Sequence, residues 1–195
     1  MIVLASKSAA RRAVLDGAGV TYEATVAGVD EDAVKASLLA EGQGPRDVAD
    51  ALAELKAIRV SRGRSDLVIG ADQTLDLDGR LYDKVDTVAA ARDRLLELRG
   101  RTHKLHSAVV VAKAGAPIWR EVVTAKLTMR DFSDDFLEHY LADEGERALG
   151  SVGCYRLEGP GAQLFAKIEG DYFAILGLPL LGLLDLLRRH GALTP

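Results

Sequence analysis

Seven polar residues have the types and the placement for chemistry on a phosphorylated substrate: Ser6, Ser8, Arg11, Glu31, Lys56, Asp72 and Lys84. Ser6 and Ser8 stand where an apolar run gives way to a helical pattern, and free backbone N–H groups and the positive end of a helix dipole attract anions at such a start. Three cations beside a helix N-terminus match a polyphosphate. Two carboxylates match a hard divalent cation such as Mg²⁺, which keeps several of its own waters. The combination suits phosphoryl or nucleotidyl chemistry, in which a protein holds the phosphate chain, neutralises its charge and orients an attacking water. The sequence contains no G-x-x-x-x-G-K-[ST], so the phosphates would not be held by a P-loop.

The elements that must position these residues can be read from periodicity. Ile2-Val3-Leu4-Ala5 reads as a buried strand, and apolar residues then recur at helical spacing through Val14 to a helix end at residues 17–19. The ordinary alternative is that Ser8 is only a cap and the arginines are a solvated face. A strand is expected over residues 21–26, then an acidic loop at 28–32. Helices follow over 33–40 and 46–62, separated by Gly42-Gln43-Gly44-Pro45. In the second helix Val48, Leu52, Leu55 and Arg59 are expected on one stripe, with Lys56 at its border, snorkelling to water or meeting a phosphate.

Leu67-Val68-Ile69-Gly70 leads into Asp72, so Asp72 is expected at the carboxyl end of a strand, where open α/β sheets collect ligands. A hairpin turning at Asp78-Gly79 and a helix over 87–98 with Val88, Ala91, Leu95 and Leu98 inward come next, the charged residues between them reading as a solvated face. Two long strands over 102–112 and 118–129 carry His103 and His106, whose spacing puts them on opposite faces rather than on one metal. Ser133 is expected to cap a helix reaching residue 142. A glycine-rich segment at 150–161, a strand at 166–168 and a helix from Pro179 to about His190 complete the chain. The pattern is α/β, a mixed twisted sheet with flanking helices in one domain spanning residues 1–195.

With 195 residues, 48% hydrophobic and 28% charged, the chain can bury a full core. A net charge of −4 argues against a nucleic-acid polymer as partner, because such polymers are gripped by surplus Lys and Arg. Cys154 is the only cysteine, which excludes an intrachain disulfide and makes a reducing, cytoplasmic setting the default. The greasiest segment, 175–187, is too short to cross a membrane and contains Asp185, so no signal, anchor or membrane partner is expected.

Six short motifs, in order and with unbroken spacing, resemble those of the Maf family of nucleoside triphosphate pyrophosphatases: residues 4–12 (Leu-Ala-Ser-Lys-Ser-Ala-Ala-Arg-Arg), Val29-Asp30-Glu31, Leu55-Lys56-Ala57, Gly70-Ala71-Asp72-Gln73, Gly100-Arg101-Thr102-His103 and Gly177-Leu178-Pro179-Leu180. The resemblance implies two lobes around a central cleft, cleavage between the α and β phosphorus of a nucleoside triphosphate, a divalent metal (Mg²⁺ or Mn²⁺), and a cytoplasmic homodimer. It implies Asp72 as catalytic base and metal ligand, and Glu31 as a metal or water-positioning residue. Ser6, Ser8, Arg11, Lys56 and Lys84 are implied as phosphate binders. Gln73 and Glu158, which it implies as base-reading positions, make the sequence most similar to the branch acting on 7-methyl-GTP; dTTP and UTP, or inosine and xanthosine triphosphates, are the alternative substrates. A septation inhibitor that binds nucleotide without turnover is the alternative from another class. The sequence departs from the family pattern at Ala9, where proline is usual, at Ala10, where that branch can carry a tryptophan able to stack on a methylated base, and at Asp83-Lys84-Val85, where Gly-Lys-Pro is usual.

Overall fold

The computed structural model describes residues 1–194, and its architecture follows from one long strand. Strand β3 (Leu67–Leu77) is eleven residues long and buried along nearly its whole length. Its neighbour on one side is β5 (Thr102–Lys113), antiparallel from Val68↔Ala112 to Asp76↔Lys104 without a break. On its other side β1 (Ile2–Ala5) runs parallel over Leu67 to Ile69, and β4 (Arg80–Tyr82) folds back antiparallel over Leu75 to Leu77. With β2 (Glu23–Thr25), β6 (Ala116–Met129) and β7 (Phe165–Glu169) the sheet has seven strands in the order β2-β1-β3-β5-β6-β7, with β4 beside β3. The sheet is mixed, as the sequence pattern predicts.

Residues 70–74 of β3 therefore have no strand on the β1 and β4 side. Asp72 lies in this gap, in the middle of a strand rather than at a strand end. The apolar run closes on a glycine and then an acid, which is why its pattern suggests a strand end there, whereas pairing with β5 along one edge carries the extended backbone straight through both. The carboxyl end that Asp72 does stand beside belongs to β1.

Alternation along β3 sorts its side chains onto two faces. Ile69 and Ala71 join one core, with Leu4, Val14 and Leu15 of β1 and α1 (Ala9–Gly17) and Leu183 and Leu187 of α7 (Leu180–Arg189). Leu75 and Leu77 join a second, with Leu95 and Leu98 of α4 (Val88–Leu98) and Leu137 and Leu141 of α5 (Asp134–Glu144). Each leucine or isoleucine fully buried there contributes about 1.5–3 kcal/mol relative to exposure. Gln73 is the polar residue at the seam between the two cores.

The opposite face, bearing Gly70, Asp72, Thr74 and Asp76, is covered by α3 (Pro45–Ser61), which buries Ala49, Ala53 and Ala57 against Ala108, Val110 and Ala112 of β5. A Cβ at Gly70 would stand 2.2 Å from the Ala53 carbonyl oxygen and 2.6 Å from the Ala57 nitrogen, so glycine is what lets helix and strand touch. The predicted stripe on α3 is corrected accordingly. Val48 and Leu52 are buried as the stripe predicts, but the inner face continues through alanines at four-residue spacing and Lys56, while Leu55 is 37% exposed and Arg59 is also outside the core. Helix α2 (Glu31–Ala40) starts two residues earlier than its periodicity suggested, capped by the Asp30 carboxylate, and buries no residue. Strand β2 is also shorter than its alternating sequence, spanning Glu23–Thr25. Among the described residues no helix is long and apolar enough to cross a membrane.

His103 and His106 do point to opposite faces. His106 Nδ1 pairs with Thr124 Oγ1 at 2.8 Å and its Nε2 lies 3.2 Å from the Asp76 carboxylate, whereas His103 Nε2 pairs with the Tyr155 hydroxyl at 2.6 Å in the second core. Burial pushes the His103 imidazole down from 6.5 to about 4. A folded pKa below the unfolded one means that the unfolded chain binds more protons between these values, so stability is complete above pH 6.5 and is lost as pH falls toward 4. His106, also pushed down, first by burial, works in the same direction. The expected outcome is a melting temperature that falls between pH 7 and 4.5, with a shallower slope in His103→Gln; an equal slope in that variant would show that His103 does not carry the effect.

Candidate active site

The gap in β3 opens into a cleft of about 1320 Å³ that takes lining residues from both lobes. On one side, β1 ends at Ala5 and α1 begins at Ala9, capped by Ser8, whose Oγ accepts from the Arg11 backbone N–H at 3.4 Å. Ser6 Oγ accepts from the Ser8 N–H and from Arg11 Nη1, both at 3.2 Å, and Arg11 Nε donates to the Gly177 carbonyl at 2.9 Å. Ser8 is thus a cap that also lines the cleft. Arg11 is not on a solvated face: it is 9% exposed and makes no ion pair among the described residues. Loss of hydration lowers its pKa, opposed by the nearby charges of Asp72 and Glu31.

Lys56 is likewise buried rather than snorkelling. Its Nζ stands 2.7 Å from Asp72 Oδ1 and 2.9 Å from Glu31 Oε1, so one ammonium bridges the two candidate acids. Gly70 brings α3 close enough for the Asp72 contact, and the start of α2 at Glu31 supplies the other. Asp72 Oδ2 and Glu31 Oε2 have no protein donor among the described residues.

Lys84 follows β4 on the opposite side of the cleft. Its ammonium has no carboxylate partner among the described residues, and its pKa is lowered by loss of hydration and then by the charge of Arg11. An anion seated between Arg11 and Lys84 would relieve both penalties. Gln73 faces the other side of β3. Its Nε2 donates to Ser107 Oγ at 2.8 Å and to the carbonyls of Ala174 and Ile175 at 3.1 and 3.0 Å, the last two in the short helix α6 (Tyr172–Ile175). Carbonyl partners fix which atom is nitrogen, so Oε1 is the end of Gln73 left over. Glu158 is exposed on the glycine-rich segment, which also lines the cleft.

Residues 1–190 match the Maf-like protein family. The chain belongs to the Maf family. It is 66% identical over 193 residues to a nucleoside triphosphate pyrophosphatase of Caulobacter vibrioides, covering 99% of this chain and 97% of that one. It is 51% identical over 194 residues to a 7-methyl-GTP pyrophosphatase of Rhizobium meliloti, covering 99% and 98%. A protein of Brucella abortus with the same 7-methyl-GTP name is 50% identical over 190 residues, covering 97% and 96%.

Of the Maf motifs, the first four supply side chains to the cleft. The fifth puts His103 in a core, and the last supplies the Gly177 carbonyl that holds Arg11. Two residues that matter to the cleft escaped the sequence reading: Lys35, which lines it, and Arg94, which holds two of its lining segments. Lys35 pairs with the Asp83 carboxylate and with Asp32 at 3.7 Å. It lies one turn after Glu31, a spacing that shares a helix face and so was legible. Arg94 had no such signal, because its partners are backbone carbonyls distant in sequence. The two candidate carboxylates form no cluster of three metal-ligating side chains with any other described residue. With one uncommitted oxygen each, they fit a Mg²⁺-type ion that fills its shell with water and substrate phosphate, not a cage made by protein alone.

Arg11→Lys removes the planar fork while keeping the charge. Pyrophosphate affinity, measured by calorimetric titration, should fall about 10- to 100-fold, the worth of a charge-assisted hydrogen bond, while the protein stays folded with a loss of about 1–2 kcal/mol. Unchanged pyrophosphate binding would make Arg11 structural only.

Proposed function

We propose that this Maf protein is a nucleoside triphosphate pyrophosphatase, dependent on a divalent cation, that releases a nucleoside monophosphate and pyrophosphate. The observation that carries the proposal is the buried, unpaired Arg11 beside the Asp72–Lys56–Glu31 arrangement. Buried charge without a partner is costly, and an anionic substrate is the partner such a site calls for. The names of the Caulobacter and Rhizobium relatives support the reading. It brings with it the cytoplasmic, homodimeric setting that the motifs imply.

In this reading Ser6, Ser8, Arg11, Lys56 and Lys84 hold the phosphate chain, with the N-terminus of α1 adding its dipole. Asp72 takes a proton from a water whose oxygen attacks the α phosphorus. The bond from that phosphorus to the bridging oxygen breaks, and Arg11 and Lys84 stabilise the charge that builds on departing pyrophosphate. Asp72 and Glu31 would hold Mg²⁺ or Mn²⁺, which when bound neutralises phosphate charge and polarises a phosphoryl oxygen. Asp72→Asn should bind nucleotide normally and lose at least about a hundredfold in kcat, the low end for a general base. Pyrophosphate release in the presence of Mg²⁺ or Mn²⁺, and after chelation, is the measurement. Near-normal turnover in a folded variant would remove Asp72 from the mechanism.

At the base end the reading favours guanine. Gln73 has spent its N–H groups on Ser107, Ala174 and Ile175, so both it and Glu158 offer acceptors. Guanine presents an N1–H and an exocyclic amine side by side, whereas thymine and uracil present one N–H between carbonyls. The absence of an aromatic residue at Ala10 removes a stacking partner for a methylated, cationic base, so 7-methyl-GTP and GTP are the paired candidates. In Glu158→Gln, the ratio of kcat/KM for GTP over UTP should fall about tenfold or more, since an unmatched polar edge discriminates strongly. A wild-type preference for dTTP or UTP would overturn the base assignment and leave the pyrophosphatase reading in place.

A further inference from the structure

We infer that Arg94 is a positioning residue that couples the phosphate end of the cleft to the base end. The inference rests on the pyrophosphatase reading for what those two ends bind. On α4, Arg94 stands between the buried Ala91 and Leu95, in the run of charges that sequence pattern assigns to solvent. The structure places it otherwise. Its Nη1 donates to the Asp83 carbonyl at 2.8 Å and to the Val152 carbonyl at 2.7 Å, and its guanidinium carbon lies 4.6 Å from the centre of the Tyr82 ring.

Those two carbonyls belong to different walls of the cleft. Asp83 precedes Lys84, and Val152 lies six residues before Glu158 in the glycine-rich segment. Each wall has its own fastenings. Lys35 holds the Asp83 carboxylate, while Tyr140 donates its hydroxyl to the Cys154 carbonyl and Arg156 grips buried Glu144 through two bonds of 2.8 and 3.0 Å. Among the described residues, Arg94 alone has a side chain hydrogen-bonded to both walls.

A guanidinium suits this position for a definite reason. Its charge sits over the Tyr82 ring while its planar fork delivers N–H groups in a fixed direction, so both carbonyls are located relative to β4 and α4 together. A lysine keeps the charge near the ring but lacks the rigid edge. Seating the triphosphate on Lys84 thereby fixes the segment bearing Glu158, and contact with the base in turn fixes Lys84. A nucleotide spanning both ends gains from this coupling at binding, so the effect falls chiefly on KM and on base preference, and on kcat only through the share of leaving-group charge that Lys84 carries.

The test compares wild type with Arg94→Met and Arg94→Lys. In Arg94→Met, KM for GTP and for UTP should rise about tenfold, the scale of coupling within one hydrogen-bond network, with kcat within about threefold and a smaller GTP-over-UTP ratio. Arg94→Lys should recover the melting temperature but only part of the KM. Titrations with pyrophosphate and with guanosine monophosphate need no turnover and should both weaken in Arg94→Met. A folded Arg94→Met with wild-type KM, base ratio and both affinities overturns the inference, as does a loss confined to kcat. If Arg94→Met does not fold, a wild-type KM in Arg94→Lys overturns it equally. A wild type that releases no pyrophosphate from any triphosphate defeats the functional reading instead, and the two titrations still decide the role of Arg94.

Discussion

A sheet with a break along one edge of its longest strand is the constraint on which the rest of this structure depends. β1 leaves β3 after Ile69 and β4 takes up pairing at Leu75, so five residues of a buried strand border a cleft instead of a neighbour. Continuous pairing with β5 keeps that stretch rigid despite the missing partner. Because alternate residues of β3 face opposite ways, the gap presents Asp72 toward α3 and Gln73 toward α6, giving the cleft an acid on one side and an amide on the other. On the Gln73 face, Ile69 and Ala71 before the gap join one core and Leu75 and Leu77 after it join another. Two lobes and a cleft between them are thus a consequence of where two short strands stop and start.

Around this gap the chain buries charge at a cost that apolar packing must offset. Arg11 is held by neutral acceptors, the Gly177 carbonyl and the Ser6 hydroxyl, which orient the guanidinium without neutralising it. Lys56 is the opposite case, a single ammonium shared by two carboxylates. Neither arrangement is what stability alone would select, since a buried ion pair gains little over an apolar pair of the same shape and an unpaired ion loses more. The cores on either side provide the surplus. A site that keeps positive charge dehydrated before substrate arrives is preorganised for a negatively charged ligand and needs little reorganisation when charge develops.

Much of this was legible in the sequence, and the failures share a cause. Strand β1, the Ser8 cap, the Asp78-Gly79 turn, the α4 stripe and the Ser133 cap all follow from local propensity and period, and the structure has each of them. The same local rules ended β3 too early, placed Leu55 inside and set Arg94 in solvent. In each of these, contacts distant in sequence override the local signal: β5 carries β3 past Asp72, Gly70 admits an alanine face of α3, and carbonyls at Asp83 and Val152 capture Arg94. For the site, sequence alone named the residues that come together around the cleft. It did not reveal that Lys56 bridges Asp72 and Glu31, because a side chain's partner across the sheet has no periodicity to betray it.

The two halves of the site are held by different forces. Asp72 and Lys56 are set by packing, since β3 and α3 are in backbone contact at Gly70 and both are buried. Glu31 and Lys84 are set by charge. Helix α2, which begins at Glu31, buries no residue and is fastened to its surroundings by Lys56–Glu31 and Lys35–Asp83. Asp83 occupies the position where the family pattern has glycine, and here its carboxylate holds α2 while its carbonyl receives Arg94. An aspartate at that position therefore does not displace Lys84 from the cleft; it ties the lysine's backbone to α2 on one side and to α4 on the other. Ionic fastening of this kind is partly exposed, so it is weaker than packing and more sensitive to salt. Local stability follows buried contact, which makes the α2 side the more readily opened wall and leaves Asp72 on the fixed one.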